Sequence, residues 1–280
     1  MLKPSIAKKR ADFRALHQSG CFVLPNPWDL GSASILATLG FKALATTSSG
    51  HAWSCARADG YSSREQVLEH MRQLVEASHL PINADFESGF ADTPQAVAES
   101  VRLAVETGVA GLSIEDGTGD AQTPIRSLPE ALERIHAARE AINTHGGDTL
   151  LVARAENFFV GQPDLEDTLR RLKAYADAGA DCLYAPGIRT REQIQAVVSA
   201  VAPKPVNVLI GWPSEFSVQD LADIGVRRIS VGGALARAAW GGFLRAARLI
   251  AEQGRFDGLA TSPSGSELNS LFGQPPELRR

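Results

Sequence analysis

Two carboxylates stand two residues apart in PINADFESGF (81–90), Asp85 and Glu87, where an apolar run ends and Gly89 opens a loop. Side chains at i and i+2 of a strand share a face, so this run predicts both acids pointing the same way. Such a pair repels itself and is poorly solvated inside a barrel, and a hard cation such as Mg²⁺ offsets it. Taken alone, the pair is better read as a strand end that happens to be acidic. Repetition argues otherwise: GVAGLSIED (108–116) supplies Glu115 and Asp116, and TLLVARAEN (149–157) supplies Arg154 and Glu156. Buried unpaired carboxylates cost several kcal/mol each, so acids on neighbouring strands around one arginine point to a bound cation. Asp116, one residue past Glu115, is expected on the other face of its strand.

Bringing these residues together requires strand ends that converge. From CFVLP (21–25) onward the chain alternates short apolar runs with helical patterns, and eight β/α units can be counted. TPQAVAESVRLAVETG shows the local logic: Thr93 caps the helix and Pro94 occupies its first position. Eight such units at 280 residues predict an α/β fold, a single (β/α)8 TIM barrel over residues 21–257. An amphipathic helix within residues 1–20 is expected as a lid or docking helix, and 258–280, rich in Gly, Pro and Ser, as a tail ordered only by docking.

In such a barrel the carboxyl ends of the strands form the catalytic mouth. There the sequence places Asn26, Trp28 and Asp29, then Ser48, Ser49, Gly50 and His51, with Asp59 on the loop beyond, and later Asn207 and Ser230. Gly232 and Gly233 are read as packing residues outside the site. His51 is the one histidine of six at the mouth; His17, His70 and the others fall in helices and are expected at the surface. All six lysines lie on helices, in the N-terminal region or at the amino ends of strands, so a Schiff-base aldolase is disfavoured.

The net charge of −4 and the absence of a basic stripe argue against nucleic acid and anionic membranes as partners. No apolar run approaches the roughly 20 residues of a membrane span, and the first residues lack a secretory signal pattern. Cys21, Cys55 and Cys182 form no ligand or disulfide spacing, which suits a reducing compartment; a cytoplasmic protein is expected. Trp240, Phe243 and Leu244 on the eighth helix flank a Gly pair and predict an apolar surface buried in an oligomer.

TTSSG with Asp59 downstream, NADFESGF, GVAGLSIED and LLVARAENFFVG together resemble the isocitrate lyase and phosphoenolpyruvate mutase superfamily, over roughly residues 20 to 250. The resemblance implies Mg²⁺, with Mn²⁺ as a substitute, held by Asp85 directly and by Glu87 and Glu115 directly or through water. It implies that Ser49 with the Gly50 and His51 amides holds the substrate carboxylate, that Arg154 neutralises developing charge, and that Asp59 gates the site. It also implies a homotetramer or dimer that exchanges the eighth helix between subunits. Asn207 is a further substrate-binding candidate, and Asp59, Arg154 and Glu115 are the catalytic ones.

Residues 117–124, GTGDAQTP, depart from that family. The lyases resemble one another in a Lys-Lys-Cys-Gly-His loop here, and the phosphonate enzymes in Lys, Asn and Ser; this chain has none of them. What remains is the shared chemistry of a 2-oxo or 2-hydroxy carboxylate chelating Mg²⁺ so that the enolate left by C–C cleavage is stabilised. Phosphonopyruvate hydrolase or mutase-like C–P chemistry is one alternative. A 2-oxo acid binding protein with little turnover is another.

Overall fold

The computed structural model describes residues 3–145 and 147–273. Its eight parallel strands are β1 (Phe22–Leu24), β2 (Leu44–Ala45), β3 (Ile82–Asp85), β4 (Gly111–Glu115), β5 (Leu150–Arg154), β6 (Cys182–Tyr184), β7 (Val206–Leu209) and β8 (Arg228–Ser230). Each pairs with its neighbour in the order β1-β8-β7-β6-β5-β4-β3-β2. The Ala45 amide, bonded to the Pro25 carbonyl at 3.0 Å, joins the two end strands and brings the barrel close to closure. The fold is therefore the expected α/β barrel.

The helices are α1 (Ile6–Leu16), α2 (Leu30–Thr38), α3 (Ser48–Ser54), α4 (Arg64–Ala77), α5 (Pro94–Glu106), α6 (Leu128–His145), α7 (Leu165–Asp177), α8 (Arg191–Val201), α9 (Val218–Ile224), α10 (Ala234–Gln253) and α11 (Gly265–Phe272). Side-chain caps start most of them: Ser63, Thr93, Thr190 and Ser217 each accept a backbone N–H of the first turn. Outward strand residues such as Leu112, Ile114, Leu151, Leu183 and Val208 meet the apolar helix faces, and this layer is the main core.

Alternate residues point into the barrel, where Ala43, Ala45, Gly111 and Ser113 are small and leave room. At the amino end that room is filled from outside: Phe13 of α1 is fully buried against Leu24, Ala43, Ala45 and Leu150. A Cβ at Gly111 would lie 2.8 Å from the Phe13 ring, which is why glycine stands there. Lys9 Nζ bonds the carbonyls of Val75 and Ser78, and Arg10 those of Val105 and Val109, fixing α1 as a plug. Of the two roles expected for the N-terminal helix, docking is the one realised; it sits opposite the catalytic mouth and cannot be a lid over it.

His17 and His70, expected at the surface, are buried. His17 ends α1 beneath the barrel, and His70 lies on the inward face of α4 with its ring stacked on His51 at 3.9 Å. In the tail, α11 folds back on α2, and the Phe272 ring comes within 3.6 Å of where a Gly31 Cβ would be. The rest of the predicted tail, 274–280, and residues 1–2 lie outside the described residues. Among the described residues no helix is long and apolar enough to cross a membrane.

Candidate active site

A cavity of about 480 Å³ opens at the carboxyl ends of the strands, where the barrel fold predicts it. Asp85 of β3 and Arg154 of β5 line it, whereas Glu87, Glu115 and Glu156 do not. Arg154, at the end of β5, reaches Asp85 Oδ1 at 2.7 Å and Glu115 Oε2 at 3.1 Å through Nη1, and Glu156 Oε1 at 2.9 Å through Nε. The Tyr184 ring lies under the guanidinium, 5.1 Å from Cζ. Asp85 is fixed further: its Oδ2 accepts the Ser48 amide at 3.0 Å, and its own amide donates to Thr46 Oγ1 at 2.8 Å.

Three carboxylates thus share one guanidinium in a dry place, and their protonation reflects it. Burial opposes charge on Arg154, yet Glu115, Glu156 and Asp85 outweigh it and hold the guanidinium above its ordinary range. Burial raises Glu115 and Glu156, with Arg154 pulling against it in both. Glu87 is pushed up to about 7, by burial first and then by the Asp85 and Asp59 charges. Burial and mutual repulsion thus oppose full ionisation of the acids grouped near Arg154.

The three predicted metal ligands do not, however, form a ready cage. Among the described residues no three His, Cys, Asp or Glu side chains stand close enough together to hold a metal ion. Two features explain this. Arg154 occupies the space between Asp85 and Glu115, and β3 ends at Asp85, so that Glu87 falls in a left-handed bend at φ 47° instead of continuing the strand. The i, i+2 alternation expected to align Asp85 with Glu87 therefore breaks at Phe86. Charge and donor chemistry still fit a hard divalent cation, because Mg²⁺ is commonly bound through one or two carboxylates and keeps several waters.

Ser49 lines the cavity, as expected, but Gly50 and His51 do not. TTSSG (46–50), whose residue types predict a turn after β2, instead enters the helix α3, which begins at Ser48 and is capped by Thr47. The Gly50 amide bonds Thr47 Oγ1 and the His51 amide bonds Thr47 O, so neither is free for a substrate carboxylate. The His51 ring packs on His70 behind the helix. Asn207 is fully buried below the cavity, with its side chain engaged by Ser230 Oγ at 2.9 Å and Arg228 Nε at 2.8 Å. Asp59 does line the cavity from its exposed loop; desolvation there raises its carboxyl, and a Ser48 hydrogen bond opposes the rise.

Asp116 faces away from the mouth, as alternation predicts, and brackets α7 by accepting Tyr175 Oη at 2.6 Å and Arg171 Nη1 at 3.1 Å. Gly232 and Gly233, left out of the site on sequence, are on its wall. A Cβ at Gly233 would lie 2.6 Å from Ser49 Oγ, so the glycine lets the β8 loop close over that hydroxyl. The sequence reading also missed Tyr184, Arg189, Trp212 and Arg237, which complete the wall from β6, two loops and α10. The hairpin at 117–125 is tied to itself, Thr118 Oγ1 to Thr123 O and Thr123 Oγ1 to Asp120, and contributes nothing to the cavity wall.

A sequence model described as phosphoenolpyruvate phosphomutase matches residues 13–251. An uncharacterized Mycobacterium tuberculosis H37Rv protein is 29% identical over 86% of this chain and 89% of its own length. Oxaloacetate decarboxylase of Pseudomonas putida GB-1 is 27% identical, covering 100% of this chain and 96% of the relative. Among solved structures, a Burkholderia cenocepacia J2315 protein, provisionally described as a lyase or mutase, is 48% identical, with a TM-score of 0.92 over 96% of this chain and 97% of that one. 2,3-Dimethylmalate lyase, 25% identical, aligns with a TM-score of 0.83 over 98% of this chain and 95% of its own. The acidic strand ends around Arg154 and the match across nearly the whole barrel agree: this chain belongs to the phosphoenolpyruvate phosphomutase family and is an enzyme of the isocitrate lyase and phosphoenolpyruvate mutase superfamily.

Proposed function

We propose that the protein is a divalent-metal-dependent lyase that cleaves a C–C bond in a small 2-oxo or 2-hydroxy carboxylic acid. The observation that carries this reading is Arg154 on the cavity wall with the carboxylates of Asp85, Glu115 and Glu156 all within ion-pair distance of it. Relatives named oxaloacetate decarboxylase and the structural neighbour 2,3-dimethylmalate lyase support C–C rather than C–P chemistry.

In this reading Asp85 holds Mg²⁺ or Mn²⁺, with Glu87 and Glu115 behind it. When bound, such an ion polarises the 2-oxo group and stabilises negative charge on its oxygen. The chain's own groups do the rest. Arg154, planar and two-pronged, holds a substrate carboxylate or the developing oxyanion. Ser49 binds the carboxylate from the opposite side. Two groups on the wall can protonate the carbon left by cleavage: Asp59, whose raised pKa favours carrying a proton, and the Tyr184 hydroxyl, pushed up to about 12 by burial and so retained as a donor. His51, the histidine expected at the mouth and a further candidate for that proton, packs on His70 and does not line the cavity.

The protein is also proposed to be an oligomer through α10. Ala236 is the one buried residue of that helix, while Trp240, Phe243, Leu244 and Ile250 are exposed along it. The cytoplasmic assignment rests on three free cysteines. A Mg²⁺-supplemented assay with oxaloacetate, 2,3-dimethylmalate and phosphonopyruvate tests the reaction class. Carbon–carbon cleavage of one of the acids is expected; phosphate from phosphonopyruvate alone, or Mg²⁺-dependent oxalate binding without product from any acid, would overturn it.

A further inference from the structure

The loop between β3 and α5 is held from the helical layer outside the barrel. Arg134, a buried residue of α6 at 2% exposure, donates through Nη1 to the Asp92 carbonyl at 3.1 Å. Through Nη2 it donates to the Ala91 carbonyl at 2.7 Å and to the Ser88 carbonyl. All three acceptors are neutral backbone groups, so this guanidinium works as a clamp and not as half of an ion pair. Burial and then Arg126 lower it to about 10, with Asp92 and Glu130 opposing. Arg134 does not line the cavity.

The backbone it clamps is unfavourable on its own. Glu87 stands at φ 47° and Phe90 at 53°, with Gly89 between them at 83°. Non-glycine residues in the left-handed region persist only where their surroundings over-determine them. Part of that restraint is local: the Gly89 amide bonds Phe86 O at 2.9 Å, and the Phe86 and Phe90 rings meet edge to face at 5.2 Å. Part comes from β4, whose Glu115 amide bonds Glu87 O at 3.1 Å. The carbonyls of Ser88, Ala91 and Asp92 belong to no strand or helix ladder, and the one guanidinium serves all three. Arg134 therefore fixes the loop on the side away from the barrel.

The bend also sets the position of the Glu87 carboxyl, which lies buried within reach of the Asp85 and Asp59 charges. We infer that Arg134 is a positioning residue for the metal site: by clamping three loop carbonyls it holds the left-handed bend that presents Glu87 to an ion at Asp85. This deepens the metal-dependent reading and rests on it. Arg134 touches neither the cavity nor the ion cluster around Arg154, so its effect passes through the loop backbone.

A double-mutant cycle separates positioning from general support of the fold. Mn²⁺ affinity, followed by electron paramagnetic resonance, is expected to fall on the order of 10-fold in Arg134→Gln. In a Glu87→Gln background the same change is expected to cost less than about 2-fold, because the group it positions is gone. Arg134→Lys is expected to lose less than Arg134→Gln, since the charge survives without the fork, and it carries the cycle if the glutamine variant does not fold. Hydrogen exchange on the metal-free protein gives a second readout: the Gly89 and Glu115 amides are expected to exchange about 10-fold faster in either variant. An equal loss of Mn²⁺ affinity in both backgrounds, or none in either, would overturn the inference. Unchanged exchange at both amides would overturn it as well, whether or not Mn²⁺ binds. Failure of the unaltered protein to bind Mn²⁺, with faster exchange in the variants, would instead remove the metal reading and leave Arg134 as a clamp on the loop alone.

Discussion

Two arginines lie inside this barrel in opposite company. Arg154, at the mouth, is surrounded by Asp85, Glu115 and Glu156, which hold it above its ordinary range. Arg228, at the start of β8 and 2% exposed, has only neutral hydrogen-bond partners among the described residues: Asn207 Oδ1 at 2.8 Å, Asn83 Oδ1 at 3.3 Å and His17 Nε2 at 3.4 Å. Burial lowers the pKa of Arg228. His17, whose Nδ1 pairs with Phe13 O, is pushed down to about 3 by burial and then by Arg228, and so presents a neutral Nε2. Neutral dipoles solvate a buried cation and finish the matter; acids in excess of their cation leave charge for something else to cancel. The base of the barrel is thus solved internally, and the mouth is left open to a metal and a substrate.

Replacing each arginine sharpens the contrast. Arg154→Met strands three carboxylates, so a loss of about 3–5 kcal/mol in denaturant unfolding is expected together with loss of turnover. Stability equal to the parent would break the comparison. Asp59→Asn, at the mouth but outside the ion cluster, is expected to lower kcat on the order of 10²-fold with little change in KM, read from steady-state kinetics. Arg228→Met leaves two amide oxygens unpaired and no acid, and a smaller cost of about 1–3 kcal/mol is expected in the same unfolding measurement.

The smallest effect concerns pH at the base. His17 has a folded pKa of about 3 against an ordinary 6.5, so the unfolded chain binds the extra proton between those values. Its contribution to stability is complete above pH 6.5 and is lost as pH falls toward 3. His17→Asn should therefore flatten the acid limb of a stability–pH profile by up to about 1.4 kcal/mol per pH unit. An unchanged slope would place a charged imidazole beside Arg228 and undo the neutral-partner account.

The barrel was legible because eight apolar runs alternate with helical periodicity, and the ion cluster because Asp85, Glu115 and Arg154 each end a strand. The losses have physical causes. TTSSG carries turn chemistry, and only the Thr47 cap converts it into the helix that consumes the Gly50 and His51 amides. Glu87 obeys strand alternation until a positive φ removes it. Burial of His17 and His70 follows from helix docking, which a polar residue type conceals. Arg189, Trp212 and Arg237 come from two connections and helix α10, and no spacing along the chain announces that they line one cavity.

The central claim, that the excess acids at the mouth hold a divalent ion through Asp85, is tested most directly by titrating Mn²⁺ into the protein and into Asp85→Ala and following free Mn²⁺ by electron paramagnetic resonance. The account predicts one bound ion per chain in the parent protein and none in the variant. Mn²⁺ bound by Asp85→Ala with undiminished affinity would contradict it.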